Sequence, residues 1–220
     1  MTSPSIRDFQ KALLNWYSKN GRDLPWRHTR DPYRILVSEI MLHQTQVERV
    51  VPKYHEFLAA YPSFEALASA QLEAVKQLWR PLGYNFRPGR LHTIAQQVVH
   101  EYGGQLPDTF EELIALHGIG QYTAGAVLSF AFHKDAPILD TNVRRLLSRF
   151  FRIEGNLMRA PASKQLWCLA ELVIPKGQAY VFNQALLDFG ALICFARNPS
   201  CHICPIHREC PFPGVSKESI

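Results

Sequence analysis

Four cysteines, two carboxylates and one glycine-rich turn are the residues of this 220-residue chain whose types and spacing suit chemistry. Cys194, Cys201, Cys204 and Cys210 form C-x6-C-x2-C-x5-C, four thiols in one short loop that can close on a [4Fe-4S] cluster or on a tetrahedral zinc ion. Spacing alone does not choose between the two. Pro199, Pro205 and Pro211 keep the loop irregular so that the sulfurs can point inward, and Arg197 and Arg208 bring positive charge to an anionic centre. The fifth cysteine, Cys168, sits in Leu166-Trp167-Cys168-Leu169 and reads as a small buried apolar residue.

The glycines lie in Leu116-His117-Gly118-Ile119-Gly120-Gln121-Tyr122, between two helical stretches. Gly118 and Gly120 allow a tight hairpin whose backbone N–H groups, at the start of the second helix, suit a phosphate oxygen; the same pair also occurs where helices simply pack. Twenty residues on, Asp140 follows the apolar run Ile138-Leu139 and opens a helix. It can cap that helix, a contribution of about 1 kcal/mol. It can also hold a negative charge toward a cleft, where a glycosidic bond breaking through an oxocarbenium ion needs a fixed anion. Arg144, Arg145, Arg149 and Arg152 then form either a solvated basic face or a set of phosphate contacts.

The elements that must hold these groups are helical. Ile6, Phe9, Leu13 and Trp16, and again Leu91, Ile94, Ala95, Val98, Val99 and Tyr102, recur at helical spacing, and no alternating strand pattern competes. Gly21 and Gly103-Gly104 mark helix ends, and Thr109 with Glu112 forms a capping box. An all-α protein follows, as one domain or as two small lobes, the second built by bringing the chain ends together. Lys and Arg number 24 against 19 Asp and Glu, a net charge of +5 that favours a polyanionic partner. No apolar run approaches the ~18 residues of a membrane span, and the first eight residues lack the apolar core of a signal peptide. The expectation is an intracellular protein, in the cytoplasm or nucleoid, with no membrane partner.

Together these motifs, with Leu24-Pro25-Trp26-Arg27 and Ser38-Glu39-Ile40-Met41-Leu42-His43-Gln44-Thr45-Gln46-Val47, resemble the helix-hairpin-helix, Gly/Pro-Asp superfamily of DNA base-excision glycosylases. Within it they are most similar to adenine glycosylases of the MutY type. The resemblance implies a two-lobed fold: a six-helix barrel over residues 22–132 with the hairpin at about 113–132, and a lobe of residues 1–21 and 133–220 that carries a [4Fe-4S] cluster in loop 194–210. It places the substrate cleft between the lobes. Glu39 becomes the acid that protonates a flipped base, on a helix whose neighbours Ile35, Leu36, Ile40 and Leu42 are apolar; such surroundings favour a protonated carboxyl near neutral pH. Asp140 matches the aspartate that stabilises the sugar cation.

Tyr122 stands where the endonuclease III branch has the lysine that forms a Schiff base, so the chain is expected to release the base without cutting the strand. Trp26, Arg27 and Gln184 match the adenine pocket, and Trp26 equally suits a loop anchored to the core. Tyr84 matches the wedge that fills the gap left by the flipped base, and Leu42, His43, Gln44 and Thr45 match the segment contacting the opposite strand. Gly118, Gly120, Asn142 and Arg144 complete the expected DNA contacts.

Three departures bear on the target base. The 220 residues contain no counterpart of the segment with which MutY inspects 8-oxoguanine. His43 replaces a glutamine, and Asn85-Phe86-Arg87-Pro88-Gly89 replaces a more basic stretch. Trp26 to Tyr33, with Tyr122, also resembles the Mig mismatch glycosylases, which remove thymine or uracil opposite guanine. The expected partner is double-stranded DNA holding a mismatched base, bound by a monomer, with adenine opposite guanine (and A:8-oxoguanine as a further substrate) ahead of T:G and U:G. A non-catalytic DNA-binding protein and a zinc-bearing structural protein are the remaining readings.

Overall fold

The computed structural model describes residues 5–83 and 86–212, so Tyr84 lies outside the described residues. Among the described residues there is no strand. The helices are α1 (Ile6–Asn20), α2 (Pro32–Leu42), α3 (Val47–Ala60), α4 (Phe64–Ala68), α5 (Leu72–Trp79), α6 (Phe86–Tyr102), α7 (Phe110–Ala115), α8 (Gln121–Phe130), α9 (Thr141–Phe151), α10 (Ala162–Leu172) and α11 (Ala179–Leu192). Their ends follow local side-chain chemistry. Asp31 accepts from the Tyr33 amide at 2.9 Å and starts α2 with Pro32 in the first turn. Thr109 accepts from the Glu112 amide, as the capping box requires, and Gly21 ends α1. No described helix is long and apolar enough to cross a membrane.

The chain divides into two compact units, Asp23–Phe132 and a second made of Met1–Arg22 with His133–Ile220. In the first, α2 packs against α3, α6 and α8, and α4 and α5 pack on α6. Residues 35 to 41 of α2 are all buried, so this stretch gives Ser38 and Glu39 no solvent face, while Arg34 before it is exposed. Phe57 and Trp79 meet edge to face at 5.5 Å and close the core from α3 and α5.

In the second unit α1 lies on α11, α11 on α9 and α9 on α10. Helix α1 carries an apolar stripe whose partners come from late in the chain: Phe9 stacks near Phe150 at 4.7 Å, and Trp16 meets Phe189 at 5.0 Å. Asp188, fully buried on α11, accepts from the Arg22 backbone amide at 2.9 Å and from its guanidinium at 2.7 Å. A buried carboxylate needs such partners, and this one ties the end of α1 to α11.

Helices α9 and α11 approach so closely that a Cβ on Gly190 would lie 2.8 Å from Asn142 Cβ and 3.1 Å from its backbone. Gly190→Ala is therefore expected to lower the unfolding free energy by about 1–3 kcal/mol, read from the urea midpoint. An unchanged midpoint would show that the two helices separate freely. Cys168 corrects an expectation: it is exposed. Ala162, Leu166 and Ala170 form the buried stripe of α10, and a residue two positions from Leu166 falls on the opposite side of the helix.

Candidate active site

In the unit Asp23–Phe132, Glu39 is the acidic residue of α2 and is only 4% exposed. Its neighbour Ser38 donates to the Ile35 carbonyl at 2.8 Å, so the hydroxyl is satisfied within the helix. Helix α2 ends at Leu42, and the chain then turns sharply: Gln44 is exposed and adopts φ +57, the left-handed region that a non-glycine residue enters at a cost of about 1–2 kcal/mol. Strain of this kind persists where neighbours hold it and gathers at functional loops.

His43, just before that turn, sits 6.2 Å from Tyr122, ring centre to ring centre. The loop after α2 and the start of α8 thus share one edge. Burial, and then the positive charges of Arg87 and Arg90, hold the His43 pKa below its ordinary value, so the imidazole is neutral at physiological pH. Tyr122 is half-buried in the first turn of α8, directly after the hairpin.

The hairpin glycines differ. Gly118 has φ +96, and a Cβ there would run into the Arg90 side chain at 2.3 Å. Gly120 caps α8 in extended conformation with open space around it. Gly118 is required by backbone and packing together, whereas Gly120 leaves room for an approaching group. Trp26 is buried and meets Tyr54 edge to face at 5.5 Å, so its ring anchors the turn Pro25–Arg27, on which Arg27 is half-buried. Leu42 and Thr45 are half-buried beside Gln44.

In the second unit Asp140 caps α9, accepting from the Val143 amide at 2.7 Å through one oxygen and from Asn142 Nδ2 at 3.0 Å through the other. Burial raises its pKa above the ordinary value, and those two hydrogen bonds and the Arg145 charge pull the other way. Arg145 donates to Asn142 Oδ1 at 2.9 Å, to the Gly190 carbonyl at 2.7 Å and to the Cys194 carbonyl at 2.8 Å. Asp140, Asn142, Arg145 and the first cysteine of the loop are therefore joined in one hydrogen-bonded row.

Arg144 departs from the expectation of a DNA contact. It is 9% exposed, and its guanidinium donates to the Leu157 carbonyl and to Ser163 Oγ. The reason is helical: with Val143, Leu146, Leu147 and Phe150 buried, position 144 shares the inward half of α9. Asn142 likewise uses its amide inside the unit. Gln184, 4% exposed on α11, accepts from the Tyr17 hydroxyl at 3.1 Å.

All four loop cysteines are half-buried and none is in a disulfide. Cys194 is tied to the end of α11 by its amide, which donates to the Phe189 carbonyl at 2.9 Å. Arg149 donates to Cys194 Sγ at 3.3 Å and to the Phe195 and Ala196 carbonyls, and stacks over Phe212 at 4.2 Å. Arg145 and Arg149, not the exposed Arg197 and Arg208, face this loop. Their spacing of four on one helix was the signal that could have found them. Burial pushes the Cys204 thiol up to about 12 and raises Cys201 and Cys210; the charges of neighbouring loop cysteines raise all three further. Thiols so placed become thiolates together when a multiply charged cationic centre lies among them. Among the described residues no three His, Cys, Asp or Glu side chains gather closely enough to share a single metal ion. The four thiols of one loop, none in a disulfide, are the donor set that a cluster and a zinc ion alike require.

Residues 37–171 match the family described as HhH-GPD superfamily base excision DNA repair protein. The adenine DNA glycosylase of Buchnera aphidicola subsp. Acyrthosiphon pisum is 41% identical over 92% of this chain and 58% of that protein. The thymine/uracil-DNA glycosylase of Pyrobaculum aerophilum is 37% identical over 90% of this chain and 88% of that protein. Among solved structures, a thermostable thymine-DNA glycosylase superposes with a TM-score of 0.88 at 34% identity, covering 94% of this chain and 95% of that one. The chain thus spans less than two thirds of the Buchnera adenine glycosylase and most of the thymine enzymes it matches.

Proposed function

Because the chain belongs to the HhH-GPD superfamily of base excision DNA repair proteins, we propose that it is a monofunctional DNA glycosylase that hydrolyses the N-glycosidic bond of a base mispaired with guanine. The observation that carries this reading is Glu39, a carboxyl group buried on an internal helix where a merely structural residue would be apolar. Adenine opposite guanine is the leading substrate, in keeping with the 41% identity to an adenine DNA glycosylase. The second reading, thymine or uracil opposite guanine, is favoured by the near-complete coverage of the Pyrobaculum protein and by the 0.88 superposition.

In this mechanism Glu39 gives a proton to the departing base, and Asp140 presents a carboxylate to the sugar as positive charge develops on it. Water completes the hydrolysis. The hairpin at Gly118–Gly120 supplies backbone N–H groups for a phosphate, and Gln44 with Thr45 meets the opposite strand. Cys194, Cys201, Cys204 and Cys210 would hold a [4Fe-4S] cluster, with Arg149 donating to the first of these sulfurs. When bound, such a cluster cross-links its loop and supplies a redox-active centre. The protein acts in this reading as an intracellular monomer on duplex DNA.

Single-turnover excision on labelled duplexes carrying A:G, A:8-oxoguanine, T:G and U:G tests the reading. Release of adenine fastest opposite guanine, with strand breaks only after alkali, is expected; no release from any duplex would overturn it, and faster release from T:G would select the second substrate class. Tyr122→Lys tests the absence of covalent chemistry. The introduced amine is expected to attack the sugar carbon, expel the base and form an imine that borohydride traps, giving strand cleavage that the native chain lacks. A borohydride-trapped complex from the native chain would refute the monofunctional assignment.

A further inference from the structure

The geometry points to Arg87 as the positioning residue that makes two loops of the unit Asp23–Phe132 into a single rigid device for reading the DNA opposite the target base. This rests on the glycosylase reading above, which places Gln44 and Thr45 against the opposite strand, and on the wedge role that the family resemblance gives Tyr84, the residue after Gly83. Arg87 lies in the first turn of α6, is 1% exposed, and is the one arginine among the largest fully buried side chains. Its Nη1 donates to the Met41 carbonyl at 2.8 Å and to the His43 carbonyl, with Ile40 at 3.3 Å. Its Nη2 donates to Thr45 Oγ1 at 2.9 Å, to the Leu82 carbonyl at 3.0 Å and to the Gly83 carbonyl at 3.2 Å.

These acceptors come from two places. Three are carbonyls at the C-terminal end of α2, where the helix dipole presents negative charge to a cation, and Thr45 continues that same turn. The other two belong to the turn after α5, immediately before position 84. Both turns pass through left-handed backbone, at Gln44 with φ +57 and at Gly83 with φ +74. The guanidinium grips Gln44 on both sides, through His43 and Thr45, so its planar fork is what keeps the strained turn in place. A lysine has the charge but, as a single point donor, cannot span both turns. The grip on residues 43–45 is thereby shared with the grip on 82–83, and neither loop can shift alone.

The test uses the full chain with Arg87→Lys, which keeps the charge, and Thr45→Val, which removes one acceptor at the surface of the same network. Three readouts are taken: amide hydrogen exchange in 43–45 and 82–83, affinity for matched and A:G duplexes, and single-turnover excision. For Arg87→Lys, exchange is expected to rise in both segments together. Affinity for matched duplex stays level, the preference for mismatched over matched duplex is lost, and excision falls about 10²-fold, as misplacement near a reacting centre does. Thr45→Val is read by hydrogen exchange alone, because Thr45 itself meets the opposite strand, and exchange is expected to rise in both segments by less than in Arg87→Lys. Equal loss of affinity for both duplexes would mark Arg87 as a general stabiliser and overturn the proposal, as would unchanged excision and preference. If the native chain releases no base at all, the glycosylase reading fails on its own, and the exchange data still decide the coupling: acceleration in one segment only, or in neither, refutes it.

Discussion

Asp140→Asn is expected to lower single-turnover excision by about 10² to 10⁴ while affinity for the duplex holds or rises. The substitution preserves shape and can still accept the Val143 amide hydrogen bond, because asparagine caps helices as well as aspartate does. What it removes is the negative charge presented to the sugar and the second acceptor, which takes the Asn142 Nδ2 hydrogen bond. The pKa gives an independent check. Burial is the largest influence on this carboxyl and raises its folded-state value above that of the unfolded chain. The fold therefore disfavours the ionised form, a penalty present above the folded pKa and relieved as pH falls through it. Removing the charge relieves it at every pH and offsets the lost Asn142 hydrogen bond, so Asp140→Asn is expected to keep its thermal stability. In the native chain, excision should fail on the acid side at a higher pH than an ordinary solvated aspartate would impose. Undiminished excision by the variant would sink the role assigned to Asp140, and a large loss of stability would reduce that role to capping.

Glu39→Gln separates the acid from the scaffold and one substrate class from the other. Glutamine fills the same volume on α2 but cannot give up a proton, so excision of adenine is expected to drop by about 10² to 10⁴. Adenine leaves readily once a ring nitrogen is protonated. Thymine has no such nitrogen, and for T:G duplexes the loss should be smaller. Parallel single-turnover rates on A:G and T:G decide it. A variant as active as the native chain on adenine would show that Glu39 is not the acid, and equal losses on both substrates would point to a positioning role common to them.

The features readable in the chain were those set within a few residues of themselves. Helix ends followed from caps such as Thr109 and Asp140, because a capping side chain bonds backbone about three positions away. The burial of Glu39 followed from an apolar stretch with no polar face, and the all-helical character from spacing alone. The hairpin could be placed, yet only the packing of Arg90 beneath Gly118 showed which glycine the structure demands.

Direction and partnership were decided elsewhere. Cys168 was expected inside and lies outside, since two residues along a helix reverse the face. A row of arginines after Asp140 looked alike as letters, but Arg144 turns to Ser163, Arg145 reaches a carbonyl 49 residues away, and Arg149 meets a cysteine sulfur. Arg87 gathers acceptors from α2 and from the turn after α5, some of them 42 to 47 residues distant. Composition and spacing state which groups a chain owns and how they are spaced around their own helix. They are silent on which distant carbonyl a long, flexible guanidinium will meet, because that depends on how helices remote in sequence cross. Only the packed core, by bringing α9 against α11 and α6 beneath the end of α2, turns a list of charged residues into a set of positioned ones.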